Sequence, residues 1–386
     1  MNGADTAWII VATALVLFMT LPGLALFYGG LVRARNVLSV LMHCFSIACL
    51  ISVLWLAAGY SIAFGAESAI WGGLGKAFLN GIDADTLAGT IPEVLFFAFQ
   101  MTFAIITPAL IVGAYVERIS YGFLMTFSAL WMLCCYAPVA HWIWGGGWLA
   151  ENYGTTDFAG GIVVHETAGL AALVLAVLLG KRKDARPPHN PGYVMLGASM
   201  LWVGWFGFNA GSQLAADGGA AMALVVTHIS AATASLTWAI WERIRHGKAS
   251  MVGMVTGTIA GLASITPAAG SVTPVEALVI GGIAGLLCQW AVNLVKHTFD
   301  IDDTLDVFAV HGVGGVFGTL MIAVFGYASF KAQGVALFAV GAFTIAVTFA
   351  LAELVRFVFP LRVSEEDEIE GLDQAAHGER AYDLNS

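Results

Sequence analysis

Along this chain apolar residues come in blocks of about 20 or more, parted by short polar turns, as in the run from Thr6 to Val32 before RARN and the run from Val94 to Val116 before ERIS. A helix needs roughly 20 such residues to cross a hydrocarbon core, whereas a barrel strand needs about ten in strict alternation. The blocks show no such alternation, so the pattern predicts an all-α integral membrane protein in contact with a lipid bilayer. It predicts eleven transmembrane helices, over residues 7–31, 37–64, 91–114, 121–143, 160–180, 191–211, 219–242, 250–267, 273–297, 307–326 and 333–357.

The basic residues then orient the helices, because cytoplasmic loops accumulate Lys and Arg. With eleven crossings, Arg33, Arg35, Arg118, Lys181, Arg182, Lys183, Arg186, Arg243, Arg245, Lys248, Lys296, Arg356, Arg362 and Arg380 fall on one side, and only Lys76 and Lys331 on the other. Losing one span would scatter these charges. The expectation is an amino terminus outside and a carboxyl terminus in the cytoplasm, in a plasma membrane. No Lys or Arg precedes Arg33, so the first span lacks the basic start of a signal peptide and reads as a resident helix.

Composition agrees with the pattern. Of 386 residues 59% are hydrophobic and 11% charged, against about a quarter charged in soluble domains; mean hydropathy is +0.83. The net charge of −10 argues against a nucleic-acid partner. Cys44, Cys49, Cys134, Cys135 and Cys288 lie in apolar spans without metal-like spacing and read as plain buried thiols.

The chain also repeats itself. GLALFYGG (23–30) and GWFGFNAG (204–211) share one glycine and phenylalanine pattern, in the first and sixth helices. His165 and His311 occupy the fifth helix of each set of five. Each has an acidic residue upstream (Asp157, Asp306) and a glycine four residues on (Gly169, Gly315). Five is odd, so the second set crosses in the opposite sense: an inverted 5+5 repeat (about 7–180 and 191–326) with a site at its midplane, plus one extra helix at 333–357. The transmembrane domain thus spans 1–360 and a soluble tail 361–386. Chance matches among 45 glycines are the plainer explanation of the motif, but they leave the paired histidines unexplained.

An imidazole inside a membrane span is costly without a partner or cavity, so each histidine is a candidate site residue beside the plainer reading of an interhelical hydrogen bond. Two neutral imidazoles in contact can hand on a proton. His165-Glu166 begins like the zinc motif HExxH, but Gly169 stands where the second histidine is needed, which removes a metalloprotease; no metal or cofactor is expected. Asp157 reads first as a helix cap. Around it, Trp144, Phe103, Phe208 and Ser212 fall at outer helix ends, and aromatic faces with a hydroxyl suit a small cation.

These stretches resemble a known family. FYGGLVRARN (27–36), FQMTFA (99–104), AHWIWGGG (140–147), DFAGGIVVH (157–165), GWFGFNAGS (204–212), DDTLDVFAVHG (302–312) and LRVSEEDEIEGLDQAAHGERAY (361–382) are similar to the ammonium transporters of the Amt/Mep/Rh family, on its bacterial Amt branch, over essentially the whole chain. The resemblance implies an outer ammonium-recruitment site at Trp144, Phe103 and Ser212, and a phenyl gate of Phe103 and Phe208. It further implies a twin-histidine pore of His165 and His311, with Asp157 supporting the entrance. Glu166 departs from the commonest bacterial pattern and has no assigned role.

The family's other properties are expectations too: eleven helices per subunit, a homotrimer, and a tail that packs beneath it and meets PII-type signalling proteins. On chemistry alone the tail, with eight acidic and two basic residues, is only a solubilising segment. The mechanism expected is that ammonium is recruited and deprotonated, ammonia passes the histidines, and a proton follows separately. Methylammonium is a possible second substrate. The chain is not read as an enzyme. Against transport stands an ammonium sensor that binds, conducts poorly and signals through its tail; the complete set of site motifs favours transport.

Overall fold

The computed structural model describes residues 1–382 and is helical almost throughout. Among the described residues eight helices are long and apolar enough to cross a membrane: α1 (Gly3–Leu31), α2 (Ala34–Phe64), α3 (Glu93–Tyr115), α4 (Tyr121–Tyr153, opening at residues 144–147), α5 (Gly161–Leu179), α7 (Gly218–His246), α9 (Pro274–Thr298) and α11 (Phe330–Arg356). Between them lie α6 (Pro191–Gly211) and two shorter apolar helices, α8 (Met251–Ile265) and α10 (Phe308–Val324). These bounds follow local chemistry. Asn190 caps α6 through the Tyr193 N–H, with Pro191 in its first turn, and Ser250 caps α8 through the Gly253 N–H.

The glycines of α1 and α6 mark a contact. A Cβ on Gly197 would stand 2.2 Å from Phe27 N, and one on Gly204 would stand 2.3 Å from Met19 Cβ, so α1 and α6 touch backbone to backbone only because those side chains are missing. The same holds at the centre. A Cβ on Gly169 would lie 2.3 Å from the Gly312 backbone, and one on Gly315 would lie 2.8 Å from His165 Cβ. The glycine after each histidine therefore lets α5 and α10 cross at contact distance.

Two expectations are corrected. Cys49 and Cys134 are exposed on the outside of the bundle and only Cys44, Cys135 and Cys288 are buried, because an apolar span facing lipid shows one side outward. The acidic residue placed before His311 as Asp157 is before His165 is Asp303 rather than Asp306. Asp303 is fully buried, stands eight residues before His311 as Asp157 does before His165, and accepts the Phe308 N–H at 2.7 Å. Asp306 instead pairs with Lys296 at 2.6 Å.

Several of the charges predicted for one side, among them Arg33, Arg118, Arg182, Lys183 and Arg362, gather at one end of the bundle. Glu117, 1% exposed, pairs with Arg33 (3.2 Å) and Arg182 (3.0 Å) and accepts the Asn36 amide at 2.9 Å. Arg182 grips Asp302 with two parallel bonds of 2.9 and 3.0 Å. The tail adds two short helices there, α12 (Glu365–Glu370) and α13 (Leu372–His377). Glu368 accepts from Arg362 and the Lys183 N–H, and Arg33 reaches the Glu368 carbonyl at 2.7 Å. Glu368, Leu372 and Asp373 are buried, so the tail is a packed part of the fold and not merely a solubilising segment.

Candidate functional site

At the other end of α4, where the helix opens at residues 144–147, a cavity of about 280 Å³ is lined by Phe64, Phe96, Gln100, Phe103, Ile143, Trp144, Phe158, Ser212 and Leu214. Three of the seven candidate site residues, Phe103, Trp144 and Ser212, meet here. The Trp144 indole N–H donates to the Asp157 carbonyl at 2.8 Å, which fixes the ring at the cavity wall and commits its one polar edge to the protein. The Ser212 hydroxyl donates to the Phe208 carbonyl at 2.8 Å, so its proton is committed and its oxygen keeps lone pairs for an incoming N–H.

Below the cavity the rings form a column. Phe103 meets Trp144 edge-on at 5.9 Å, then stacks on Phe208 at 4.2 Å and 27°. Phe208 faces His165 at 6.1 Å, and His165 faces His311 at 5.1 Å, the last two steps both tilted by 25°. Both phenyl rings are buried, so the path is closed between cavity and imidazoles. The two Nδ1 atoms are 3.2 Å apart, so one ring donates this hydrogen bond and the other accepts it. His165 Nε2 is buried with no protein partner. In the electrically neutral pair a nitrogen thus stays free for a small solute with N–H groups.

Both histidines sit in π-helical turns, Gly161–Glu166 and Phe308–Gly312. The widened turn carries one extra residue and re-aims the side chains that follow, a device frequent at functional sites. Trp205 supports His165 from behind at 5.4 Å and is itself held by a 2.8 Å bond from its N–H to Thr266.

Asp157 does not enter the column. Its Oδ1 accepts the N–H groups of Gly160 and Gly161 (3.0 and 2.6 Å), and its Oδ2 those of Ile162 and Val163 (2.9 and 3.0 Å). It closes the amino end of α5, and through its own carbonyl it also positions Trp144. Glu166 is turned away from the column: its carboxyl lies by Gly341 of α11, with Oε2 buried and unpartnered.

Gln100 lines the cavity with its buried Oε1 unpartnered, an acceptor that sequence reasoning passed over. The signal was an amide inside the apolar run FAFQMTF, one turn before Phe103. Phe158 was missed as well; it follows Asp157 in a loop that no periodicity describes. Among the described residues no group of three His, Cys, Asp or Glu is placed to hold a metal ion.

A bundle of apolar helices with a surface cavity leading through stacked rings to buried polar groups at its centre is the architecture of a membrane transport protein. The chain belongs to the Ammonium Transporter Family, whose model matches residues 7–382. It is 46% identical to an ammonium transporter of Bacillus subtilis, covering 99% of each chain, and 44% identical to a putative ammonium transporter of Methanothermobacter thermautotrophicus, covering 100% of this chain and 99% of the other. Among solved structures it resembles Mep2 of Candida albicans (TM-score 0.87, 34% identity, 95% of this chain and 88% of that one). It also resembles a protein titled Sensor Amt Protein (TM-score 0.91, 29% identity, 97% and 98%).

Proposed function

We propose that this protein carries ammonium across the cytoplasmic membrane, and that the column from Trp144 to His311 is its path. An intact ion in a medium of low dielectric costs on the order of tens of kcal/mol, whereas one cation–π contact returns about 0.5–2 kcal/mol. The aromatic cavity is therefore suited to collecting the cation but not to passing it on charged. Ammonium is held by Trp144, Phe103 and the Ser212 oxygen, loses its proton at the Phe103/Phe208 pair, and crosses the imidazoles as ammonia. The proton follows through His165 and His311. Hydrated sodium and potassium find no ring of oxygens to replace their water.

The same reading has eleven crossings in an inverted 5+5 arrangement, with the Trp144 mouth outside and the Arg33–Glu117–Arg182 end in the cytoplasm. The gathering of basic side chains at that end supports it. Assembly as a homotrimer, each subunit with its own path, and contact of the tail with a PII-type protein rest on the family resemblance.

The observation that carries the proposal is the unbroken ring column from cavity to twin imidazoles. Growth of a transport-deficient strain on limiting ammonium tests it. The similarity to a Sensor Amt Protein is the reason to keep a sensor as the competing reading. Rescue that is lost in the His165→Ala/His311→Ala variant supports transport; full membrane expression without rescue supports the sensor.

A further inference from the structure

The tail helix α13 inserts between α2 and α4. The Asp373 carboxylate accepts the Ser39 N–H at 2.7 Å, satisfying one of the free first-turn amides of α2, and the Leu372 N–H donates to Asn36 Oδ1 at 2.7 Å. Asn36 is the residue whose amide bonds Glu117, so the tail connects directly to the buried Arg33–Glu117–Arg182 network. At the far end of α13, His377 lies edge-on to Tyr121 of α4 (5.2 Å, 85°) and to His43 of α2 (6.4 Å, 69°), while His43 stacks on Tyr121 at 6.1 Å. His377 Nε2, His43 Nδ1 and Asp373 Oδ2 are all buried with no partner. His43 is fully buried and His377 partly so, a setting that suits neutral rings better than a charged one.

We propose that His377 is a proton-operated latch: neutral, it holds residues 371–382 against α2 and α4, and protonated, it lets that segment go, together with the bonds to Ser39 and Asn36. Tyr121 contributes no charge from α4, its hydroxyl being bonded to Ser46 at 2.7 Å; His43 faces the ring from α2; Asp373 and Glu379 of the tail itself favour the charged form. Burial outweighs the two carboxylates and holds the His377 imidazole below its usual pKa. The released tail regains an ordinary histidine. Docking is then at full strength above the free value of about 6.5 and weakens as pH falls below it, by up to about tenfold between pH 7.5 and 5.5 when the docked ring stays neutral.

The test is hydrogen–deuterium exchange on the full-length protein in lipid nanodiscs at pH 7.5 and 5.5, read in peptides covering 371–382. Rates are normalised to a synthetic tail peptide to remove the intrinsic pH dependence of exchange. Wild type is expected to lose protection on acidification, by at most about tenfold, and His377→Gln to stay protected at both values. Equal protection of wild type at both pH values, or an undiminished response in His377→Gln, overturns the latch. Should His377→Gln leave the tail open throughout, Glu379→Gln decides. Removing that exposed carboxylate makes the docked ring harder to protonate in place, so the opening midpoint must move to higher pH, and an unchanged or lower midpoint refutes the assignment.

Discussion

Replacing Asp157 with asparagine exchanges one oxygen for an NH₂ group, yet four backbone amides depend on that carboxylate. The asparagine oxygen can keep two of them. The other two N–H groups, within the buried stretch Gly160–Val163, then face a donor instead of an acceptor. At about 1–3 kcal/mol for each buried donor left unsatisfied, the loss is roughly 2–6 kcal/mol. It falls on the turn that carries His165 and, through the Asp157 carbonyl, on the Trp144 indole. Thermal unfolding of the purified protein in detergent reads the stability loss directly, and ammonium-dependent uptake by proteoliposomes reads its effect on the path. An Asp157→Asn protein with wild-type melting and wild-type uptake refutes the reasoning, because it means the four amides find other partners at no cost.

Trp144→Leu removes the aromatic face and is expected to raise the half-saturating ammonium concentration by roughly 2- to 30-fold, the equivalent of about 0.5–2 kcal/mol, with maximal flux measured alongside. Gly169→Ala places a Cβ 2.3 Å from the Gly312 backbone, so the α5–α10 crossing must open; overpacking of about 1–3 kcal/mol or more and loss of uptake are expected, read by melting and flux. Glu117→Gln leaves Arg33 and Arg182 buried without their shared carboxylate, at a cost of about 3–5 kcal/mol in unfolding experiments. At Asp302, burial raises the carboxyl pKa, but Arg182 and Arg118 more than offset it and hold it below the ordinary range. That contribution is present above about pH 4 and disappears as pH falls through the lowered value, so acid unfolding of Asp302→Asn is expected to lose part of the wild-type pH dependence in that region.

Helix positions were most legible where hydropathy and caps agree: α6 runs over 191–211 as its Asn190-Pro191 start and the glycines near its end indicate. What failed to show was local geometry that breaks the 3.6-residue rhythm. The π-turns at Gly161–Glu166 and Phe308–Gly312 have no sequence signature, so facing arguments built on an ideal helix placed neither Glu166 nor the acidic counterpart of Asp157. Asp303 and Asp306 are both acidic and three residues apart; only the fold shows that the first is buried under α10 and the second meets Lys296. The tail misled for a related reason. Its acidic composition suggests solvent, and the arginines that receive it lie more than 300 residues away in Arg33 and nearer in Arg362.

The central claim is that charge crosses at the imidazole pair. The direct test is the transient current evoked by an ammonium pulse on proteoliposomes adsorbed to a solid-supported membrane, with wild type and His165→Ala/His311→Ala compared at matched protein density. The account predicts a wild-type current that ammonium saturates and that the double variant loses or no longer restricts to ammonium. Ammonium uptake by wild type with no accompanying current contradicts it, and the proton route through His165 and His311 falls.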